Sequence, residues 1–272
     1  MPLVLVPRRD PTGPLSVELD GVVPDRVARL SAAEVARLPV RADGRPRPLG
    51  DLFDISGAGG DGTLECRGDF SRVHRVGAGM ASGRILVAGP VGRHSGERMT
   101  GGALVVEGDA GDWLAAEMSG GSVRVAGSAG DNLAGALPGS DAGLRGGVVI
   151  VTGAAGDLAA ARMRRGLVAI GGGCGTAAGF EMRGGLLTLA GAIGPQPGLA
   201  MRRGTILALI TTPAPPMTFA RGSCWSPPLV PLVLRRLARA GFAPASTAAP
   251  GPWRHWHGDL LAGGRGELFH PE

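Results

Sequence analysis

The chain has 272 residues, a formal net charge of +5 and 44% hydrophobic residues, so it can bury a sizeable core in one or two domains. Its apolar runs are too short for a membrane-spanning helix, and the short run near the start precedes its arginines, the wrong order for a signal peptide. Three cysteines without metal-ligand spacing favour a reducing, cytoplasmic location, and scattered basic residues with only 4% aromatics weigh against nucleic-acid binding.

The first 61 residues predict a small α+β cap. Residues 3–6 and 15–19 have the composition of short strands, separated by turn-forming residues at 10–14. Ser31 followed by Glu34 is a capping-box pattern, which predicts a short helix ending near Leu38. Residues 41–48 are basic and proline-bearing and are predicted to form a loop.

From Gly62 to about residue 210 the chain repeats itself. Each unit begins with a glycine, and successive leading glycines are mostly 19 residues apart. They are Gly83, Gly102, Gly121, Gly147, Gly166, Gly185 and Gly204. A repeat this short is one supersecondary unit that stacks on its neighbours. The one longer interval contains an insertion at residues 137–143, which we interpret as a bulge or contact loop.

The residues of each unit fall into columns. Apolar residues recur two and four positions after the leading glycine, as in Ile85 and Val87, which predicts a strand with these side chains facing one interior. A third column, sixteen positions after the glycine, is mostly methionine; core filling is favoured there over a soft-metal or haem path. Further glycines in a G-x-x-G-x-x-x-G pattern indicate tight corners. We therefore predict an all-β, right-handed parallel β-helix with ~19-residue rungs over residues 62–210.

Two outward-facing features indicate contacts. Later strands place an apolar stripe on the outside of the solenoid, formed by Val148, Ile150, Leu167 and Leu186. An exposed apolar stripe needs a cover. Two covers fit, the chain's own C-terminal segment and a partner subunit, and the four residues are our candidates for an interface.

The second feature is a basic column. Arginine recurs at one position of four consecutive units, namely Arg145, Arg164, Arg183 and Arg202. Neighbouring strands lie ~4.8 Å apart, so these arginines repel one another. The column is tolerable when water screens the repulsion, and it is favourable when the arginines face carboxylates. Such carboxylates would come from an acidic subunit surface or an extended polyanionic ligand.

The last 62 residues, 211–272, have the pattern of a C-terminal attachment. A linker at 211–216 precedes an amphipathic helix at 229–240 that stops at Gly241, a proline-rich loop at 243–252 and a strand-like end around Gly266. His255 and His257 lack a third ligand at usable spacing, so no metal site is predicted. No catalytic constellation emerges, which indicates a scaffold or assembly subunit.

The residues resemble a known family. The tandem G-x-x-G-x-x-x-G units are similar to those of the C-subunit of formylmethanofuran dehydrogenase and, more distantly, to the C-terminal domain of the glutamate synthase large subunit. The segments around Arg47–Ile55 and Gly258–Leu268 are similar to the C-subunit family at both ends. The absence of lysine and the abundance of Ala, Gly, Arg and Pro indicate a GC-rich genome and favour the bacterial formyltransferase/hydrolase complex over the tungsten or molybdenum dehydrogenase of methanogens.

The resemblance implies a role in one-carbon metabolism. The bacterial complex of methylotrophs transfers a formyl group from formyl-tetrahydromethanopterin to a methanofuran-type carrier and releases formate during formaldehyde oxidation. Its hydrolase, with zinc, and its formyltransferase are separate chains that join the C-subunit and a third partner in a heteromeric assembly. The C-subunit itself is expected to be a non-catalytic scaffold without its own cofactor. The carrier resembles methanofuran with a polyglutamate tail, which the arginine column would help to hold.

Overall fold

The computed structural model describes residues 2–8, 15–248 and 251–272. Its first part contains five strands and three short helices: β1 (Leu3–Pro7), β2 (Val17–Glu18), α1 (Pro24–Val27), α2 (Ala32–Ala36), β3 (Pro39–Ala42), β4 (Arg45–Pro48), α3 (Leu49–Leu52) and β5 (Phe53–Gly57). The repeat region contributes β6 (Thr63–Cys66), β7 (Val73–His74), β8 (Arg84–Val87), β9 (Ala103–Val106), β10 (Ser122–Val125), β11 (Val148–Val151), β12 (Leu167–Ile170), β13 (Arg183–Leu189) and β14 (Arg203–Ala208). The C-terminal part contains β15 (Ala220–Trp225), α4 (Leu229–Arg239), α5 (Pro244–Thr247), β16 (Trp253–His257) and β17 (Arg265–Pro271).

Most strands belong to one large sheet. It has 13 strands in the order β15-β16-β17-β14-β13-β12-β11-β10-β9-β8-β6-β1-β5, and every pair from β17 through to β1 is parallel. Equivalent residues of successive repeats face each other, so that Ile85 pairs with Leu104 and Val123 with Val149. A second row of parallel bridges runs from Phe70 to Ile193 along the same repeats. A mostly β chain with a large parallel sheet and this second row fits a β-helix-like fold.

The predicted columns form the core. The column two residues after the leading glycine is at most 1% exposed at every position, and so is the column two residues further on. The methionine column is completely buried as well, with Leu144 in the place of one methionine. All seven leading glycines have positive φ values, from 74° to 105°. The interior side of the strands and the core-filling role of the methionines are therefore confirmed.

Aspartates tie the repeats together outside the core. Asp112 Oδ1 accepts a hydrogen bond from the Asp131 backbone N–H at 2.9 Å, and Asp131 Oδ1 accepts one from Asp157 at 2.8 Å. Asp157 Oδ1 accepts in turn from Thr176 N–H at 2.6 Å, and Asp109 does the same toward Ser128 at 2.7 Å. Each carboxylate thus satisfies a turn N–H of the next repeat that the strand ladders do not reach.

The N-terminal part closes one end of the sheet. β1 pairs in parallel with β6 and antiparallel with β5, so the first repeat strand has no open edge. The predicted helix is α2, and Ser31 caps it with the full capping box to Glu34, as predicted. Of the predicted strand at 15–19 only β2 is regular, and the predicted turn at 10–14 lies outside the described residues.

The predicted loop at 41–48 is wrong. Most of this segment is the β3–β4 hairpin, in which Val40 pairs with Arg47 and Ala42 with Arg45. The turn residues Asp43 and Gly44 both have positive φ values, of 48° and 76°. This is the backbone that a two-residue hairpin turn requires, and Asp-Gly is one of its preferred sequences. Pro46 and Pro48 lie in β4, the edge strand of a small second sheet with the order β4-β3-β2-β7, and an edge strand tolerates a missing N–H.

The C-terminal part is more ordered than predicted. The amphipathic helix is α4, and Gly241 with a φ of 78° follows its end, as predicted. β15, β16 and β17 add three strands to the large sheet, and β17 pairs in parallel with β14 as a further layer of the repeat. The predicted loop at 243–252 contains α5. Across the described residues, no helix has both the length and the apolar character needed to cross a bilayer.

Candidate functional site

The arginine column lies directly beside the buried methionine column. Each of its residues follows a fully buried residue of that column, namely Leu144, Met163, Met182 and Met201. The backbone N–H groups of Arg145, Arg164, Arg183 and Arg202 each donate to the carbonyl of the preceding repeat at 2.8 Å. The four Cα atoms are thereby held in register. Arg145, Arg164 and Arg202 are exposed, whereas Arg183 is half-buried.

A carboxylate of the insertion already occupies the middle of this column. Asp141 Oδ2 lies 2.7 Å from Arg164 Nη2 and 3.3 Å from Arg183 Nη1, so one carboxylate bridges two neighbouring guanidinium groups. The loop that carries Asp141 is anchored, because Arg162 donates to the Ser140 carbonyl at 2.8 Å. The Asp141 side chain is 71% exposed, so this bridge adds at most about 1 kcal/mol to stability. Nothing in the sequence pattern indicated this contact.

Two further arginines extend the basic surface toward the C-terminus. Arg203 pairs with Arg183 on β13 and with Arg265 on β17, so three guanidinium groups start three adjacent strands. Arg183, Arg202, Arg203 and Arg265 line a cavity of about 340 Å³ together with Ala262 and Gly263. The sequence contains a signal for Arg265 that we missed: Arg265-Gly-Glu-Leu repeats the pattern of Arg203-Gly-Thr-Ile.

The apolar stripe is covered by the chain's own C-terminal segment. Ile150 and Leu167 are 3% and 4% exposed, and they belong to one buried cluster with residues of α4, α5, β16 and β17. Val148 and Leu186 are half-buried against the same cluster. Arg124 on β10 fixes this cover by donating a hydrogen bond to the Ala240 carbonyl at the end of α4. A subunit interface at these four residues stays a prediction.

A second charged network lies on the early repeats and was not predicted. Glu97 is 2% exposed, and its carboxylate lies 3.1 Å from Arg75 Nη1 and 2.8 Å from His94 Nδ1. In the next repeat, Glu117 is paired with Arg98 at 3.0 Å. Burial would raise the pKa of Glu97, but a hydrogen bond with His94 and the charge of Arg75 outweigh it, so this pKa lies below its ordinary 4.5.

Because of this network, we expect the free energy of unfolding to depend on pH. We expect Glu97→Gln to lower the free energy of unfolding by about 1–3 kcal/mol at neutral pH, because Arg75 loses a buried partner. Because the folded-state pKa is lowered, the carboxylate's contribution is fully present above 4.5 and is lost as the pH falls through the folded-state pKa. Urea unfolding of both proteins from neutral pH down to pH ~3 should show the difference shrinking with acidity. Glu107→Gln, at an exposed position, is the control, and a Glu97→Gln deficit that is constant over this range would contradict the assignment.

The cysteines and histidines form no site that we can assign. Cys66, Cys174 and Cys224 are all free thiols, and burial raises the pKa of Cys66 to about 12. The His255 and His257 rings lie 4.3 Å apart, and His255 stacks on Phe269. Within residues 2–8, 15–248 and 251–272, no three His, Cys, Asp or Glu side chains are grouped in a way that could hold a metal ion.

Sequence comparisons find relatives in two groups of organisms, although no family model matches the chain. The chain is 33% identical over 96 residues to the C-subunit of a molybdenum-containing formylmethanofuran dehydrogenase of Methanosarcina barkeri, which is 34% of this chain and 31% of the relative. It is 39% identical over 97 residues to the equivalent protein of Methanothermobacter thermautotrophicus, 35% of this chain and 24% of the relative. It is also 39% identical over 80 residues to the C-subunit of the formyltransferase/hydrolase complex Fhc of Methylorubrum extorquens, 29% of this chain and 30% of the relative. The alignments thus span less than a third of each of these curated relatives.

A structural comparison covers the whole chain. A chain in the crystal structure of the formyltransferase/hydrolase complex FhcABCD from Methylorubrum extorquens, determined with methylofuran, superposes with a TM-score of 0.90 at 37% sequence identity. The match covers 99% of this chain and 99% of that one. Similarity therefore extends through the cap and the C-terminal attachment as well as the repeats.

Proposed function

Because the chain belongs to the C-subunit family of formylmethanofuran dehydrogenases and of the formyltransferase/hydrolase complex, we propose that it is a non-catalytic scaffold of a formyltransferase/hydrolase complex. The observation that carries the proposal is the match over 99% of both chains to a component of a solved complex of this kind. A match from end to end supports an equivalent place in an assembly of this kind. The proposal includes a cytoplasmic location.

The activity belongs to the assembly. In it, partner chains transfer a formyl group from formyl-tetrahydromethanopterin to a methanofuran-type carrier and hydrolyse it to formate, with zinc in the hydrolase chain. The complex of the structural relative was determined with methylofuran, which is consistent with a carrier of this type. We assign no catalytic residue to this chain.

The proposal also specifies the architecture. Residues 62–210 form a right-handed parallel β-helix with ~19-residue rungs, residues 1–61 cap its first strand, and residues 211–272 form the helix and docking tail. The parallel register from β6 to β14 supports the solenoid, since equivalent residues of successive repeats pair throughout. The continuation of this register into β17 supports a further layer contributed by the tail.

A second candidate is a subunit of a molybdenum or tungsten formylmethanofuran dehydrogenase. The relatives in Methanosarcina and Methanothermobacter are subunits of molybdenum-containing enzymes and are 33% and 39% identical over 96 and 97 residues, against 39% over 80 residues for the bacterial relative. The chain would be a scaffold in that enzyme too. The two assemblies differ in their metal content.

The test is a native affinity purification of the full-length chain from its source, with mass spectrometry and metal analysis of the copurifying proteins. Three partner chains with zinc and without molybdenum or tungsten would establish the formyltransferase/hydrolase complex. Molybdenum or tungsten would establish the dehydrogenase instead. Recovery of the chain alone, under conditions that keep other complexes of the extract intact, would overturn both.

The arginine column predicts a second outcome of this purification. We expect a variant with glutamine at Arg145, Arg164, Arg183 and Arg202 to retain less carrier or fewer partner chains, because four cations that can pair with carboxylates are lost. The matched control carries glutamine at four exposed arginines elsewhere, namely Arg72, Arg84, Arg235 and Arg236, and loses the same net charge. Equal retention of carrier and partners by both variants would remove the column from the proposed function.

A further inference from the structure

Two cavities adjoin at the C-terminal end of the arginine column. The basic cavity lined by Arg183, Arg202, Arg203 and Arg265 shares Arg202 and Ala262 with a larger cavity of about 630 Å³. The larger cavity has a mixed lining that includes Phe180, Leu199 and Leu261. We call the two cavities together the C-terminal groove.

One wall of the groove presents a leucine to solvent. Leu261, on the short 3₁₀ helix Leu260–Ala262, lines the larger cavity and is 87% exposed. This helix is fixed, because the Asp259 carboxylate accepts hydrogen bonds from Leu261 N–H at 3.0 Å and from Ala200 N–H at 2.9 Å. An exposed leucine held on an anchored turn gives the groove an apolar contact surface.

The other wall carries cations without partners. Within the described residues, Arg202, Arg203 and Arg265 form no ion pair, and Arg183 shares one carboxylate with Arg164. The two acidic residues of the groove are already engaged: Glu181 pairs with Arg162 at 3.0 Å, and Asp259 is 3% exposed and holds the turn. The free charge of the groove is therefore positive.

Asp141 shows what these arginines bind. It is a carboxylate held between two arginines of successive repeats, at 2.7 and 3.3 Å. Arg183, Arg203 and Arg265 pair with one another on the adjacent strands β13, β14 and β17, which places their side chains at a strand spacing suited to further carboxylates.

From these contacts we propose that the C-terminal groove docks an acidic segment of a partner chain that carries apolar side chains among its carboxylates. Charge complementarity specifies the acidic residues, and the apolar lining at Leu261, Phe180 and Leu199 specifies apolar side chains beside them. A polymer of glutamate alone would leave Leu261 without an apolar partner. A second copy of this chain does not fit, because its acidic residues are scattered and form no acidic segment. The inference rests on the proposed function for the existence of partner chains.

The test uses the full-length chain and two fluorescently labelled peptides of equal charge, Glu-Glu-Leu-Glu-Glu-Leu-Glu-Glu and the same peptide with serine in place of leucine. Fluorescence anisotropy should show the leucine peptide binding about tenfold more tightly, since burying part of two leucines is worth about 1.4 kcal/mol. Leu261→Ser should reduce this preference severalfold. The double variant Arg203→Gln/Arg265→Gln should weaken both peptides, whereas Arg145→Gln/Arg165→Gln, with two exposed arginines outside the groove, should weaken them far less.

Equal affinity for the two peptides, or a preference that Leu261→Ser leaves intact, would overturn the proposal, as would absence of binding to either peptide. These failures are distinct from failure of the proposed function. If only the groove proposal fails, the wild-type chain still copurifies with its partner chains. If the proposed function fails, it does not. Circular dichroism and thermal unfolding of each variant show that lost binding is not lost folding.

Discussion

Gly121→Ala is expected to be among the most destabilising single-methyl additions in this chain. Gly121 has a φ of +86°, where an L-residue costs about 1 kcal/mol. A Cβ at this position would lie 2.6 Å from the Gly102 carbonyl oxygen and 2.7 Å from the Gly101 carbonyl carbon and oxygen. These are backbone atoms, and the Gly102 carbonyl accepts the Ser122 N–H at 3.0 Å, so the neighbouring strand cannot yield without breaking the ladder. We expect a loss of ~3 kcal/mol or more in the free energy of unfolding.

Gly44→Ala separates conformational strain from the clash. Gly44 has a similar φ of +76° in the β3–β4 turn, but no atom lies within 4 Å of a Cβ built there. Its replacement should cost about 1 kcal/mol, the strain alone. Thermal and urea unfolding of both variants gives the comparison. A Gly121→Ala loss no greater than that of Gly44→Ala would show that the stacked repeats can separate enough to admit a methyl group.

Trp253→Ala is expected to release the C-terminal cover from the sheet. Trp253 is 1% exposed and belongs to the buried cluster that joins α4 and β17 to Ile150 and Leu167. Truncation of a buried tryptophan costs about 3–5 kcal/mol. Much of this loss should appear as local opening of residues 211–248, because the repeat core is a separate cluster. Limited proteolysis should cut this segment faster, and binding of a hydrophobic dye should increase as the apolar stripe becomes exposed.

Trp225→Ala is the matched control for this prediction. Trp225 ends β15 with a side chain that is 44% exposed, and its ring meets Phe269 edge-on at 6.5 Å. Its loss should cost about 1 kcal/mol and leave the cleavage rate of residues 211–248 nearly unchanged. Equal cleavage of the two variants would mean that Trp253 is not what holds the cover in place.

The core of the repeat region could be predicted from the sequence because the pattern that specifies it lies within each repeat. Alternation within each strand sets which side chains face inward, and the recurrence of Ile85 and Leu104 at the same position sets the register. The β3–β4 hairpin was missed because basic and proline residues dominate its composition, although the Asp43–Gly44 pair indicates the turn. The corners were predicted in part: Gly96 has a positive φ of 67°, but so have Arg98 and Ala115, which no composition rule would select.

The candidate site depends on contacts that single-repeat patterns do not contain. The arginine column follows from the spacing, whereas the pairing of Asp141 with it depends on how the insertion folds back over two repeats. The basic cavity depends on β17 returning to the sheet beside β14, across the whole C-terminal part of the sequence. Such long-range pairing is not encoded in local periodicity.

The antiparallel strand pairs at the two ends of the large sheet have a consequence for polymerisation. β5 lies antiparallel to β1 at one edge, and β15 lies antiparallel to β16 at the other. A second copy therefore meets the reversed strand β5 at one end, and at the other end β15 is separated from the parallel strands by the reversed strand β16, so the parallel stack does not continue from one copy into the next. Duplication of one internal repeat, by contrast, would lengthen the molecule by about 4.8 Å and leave both ends unchanged. The ends thus set a fixed length for each molecule while leaving that length free to change in evolution by whole repeats.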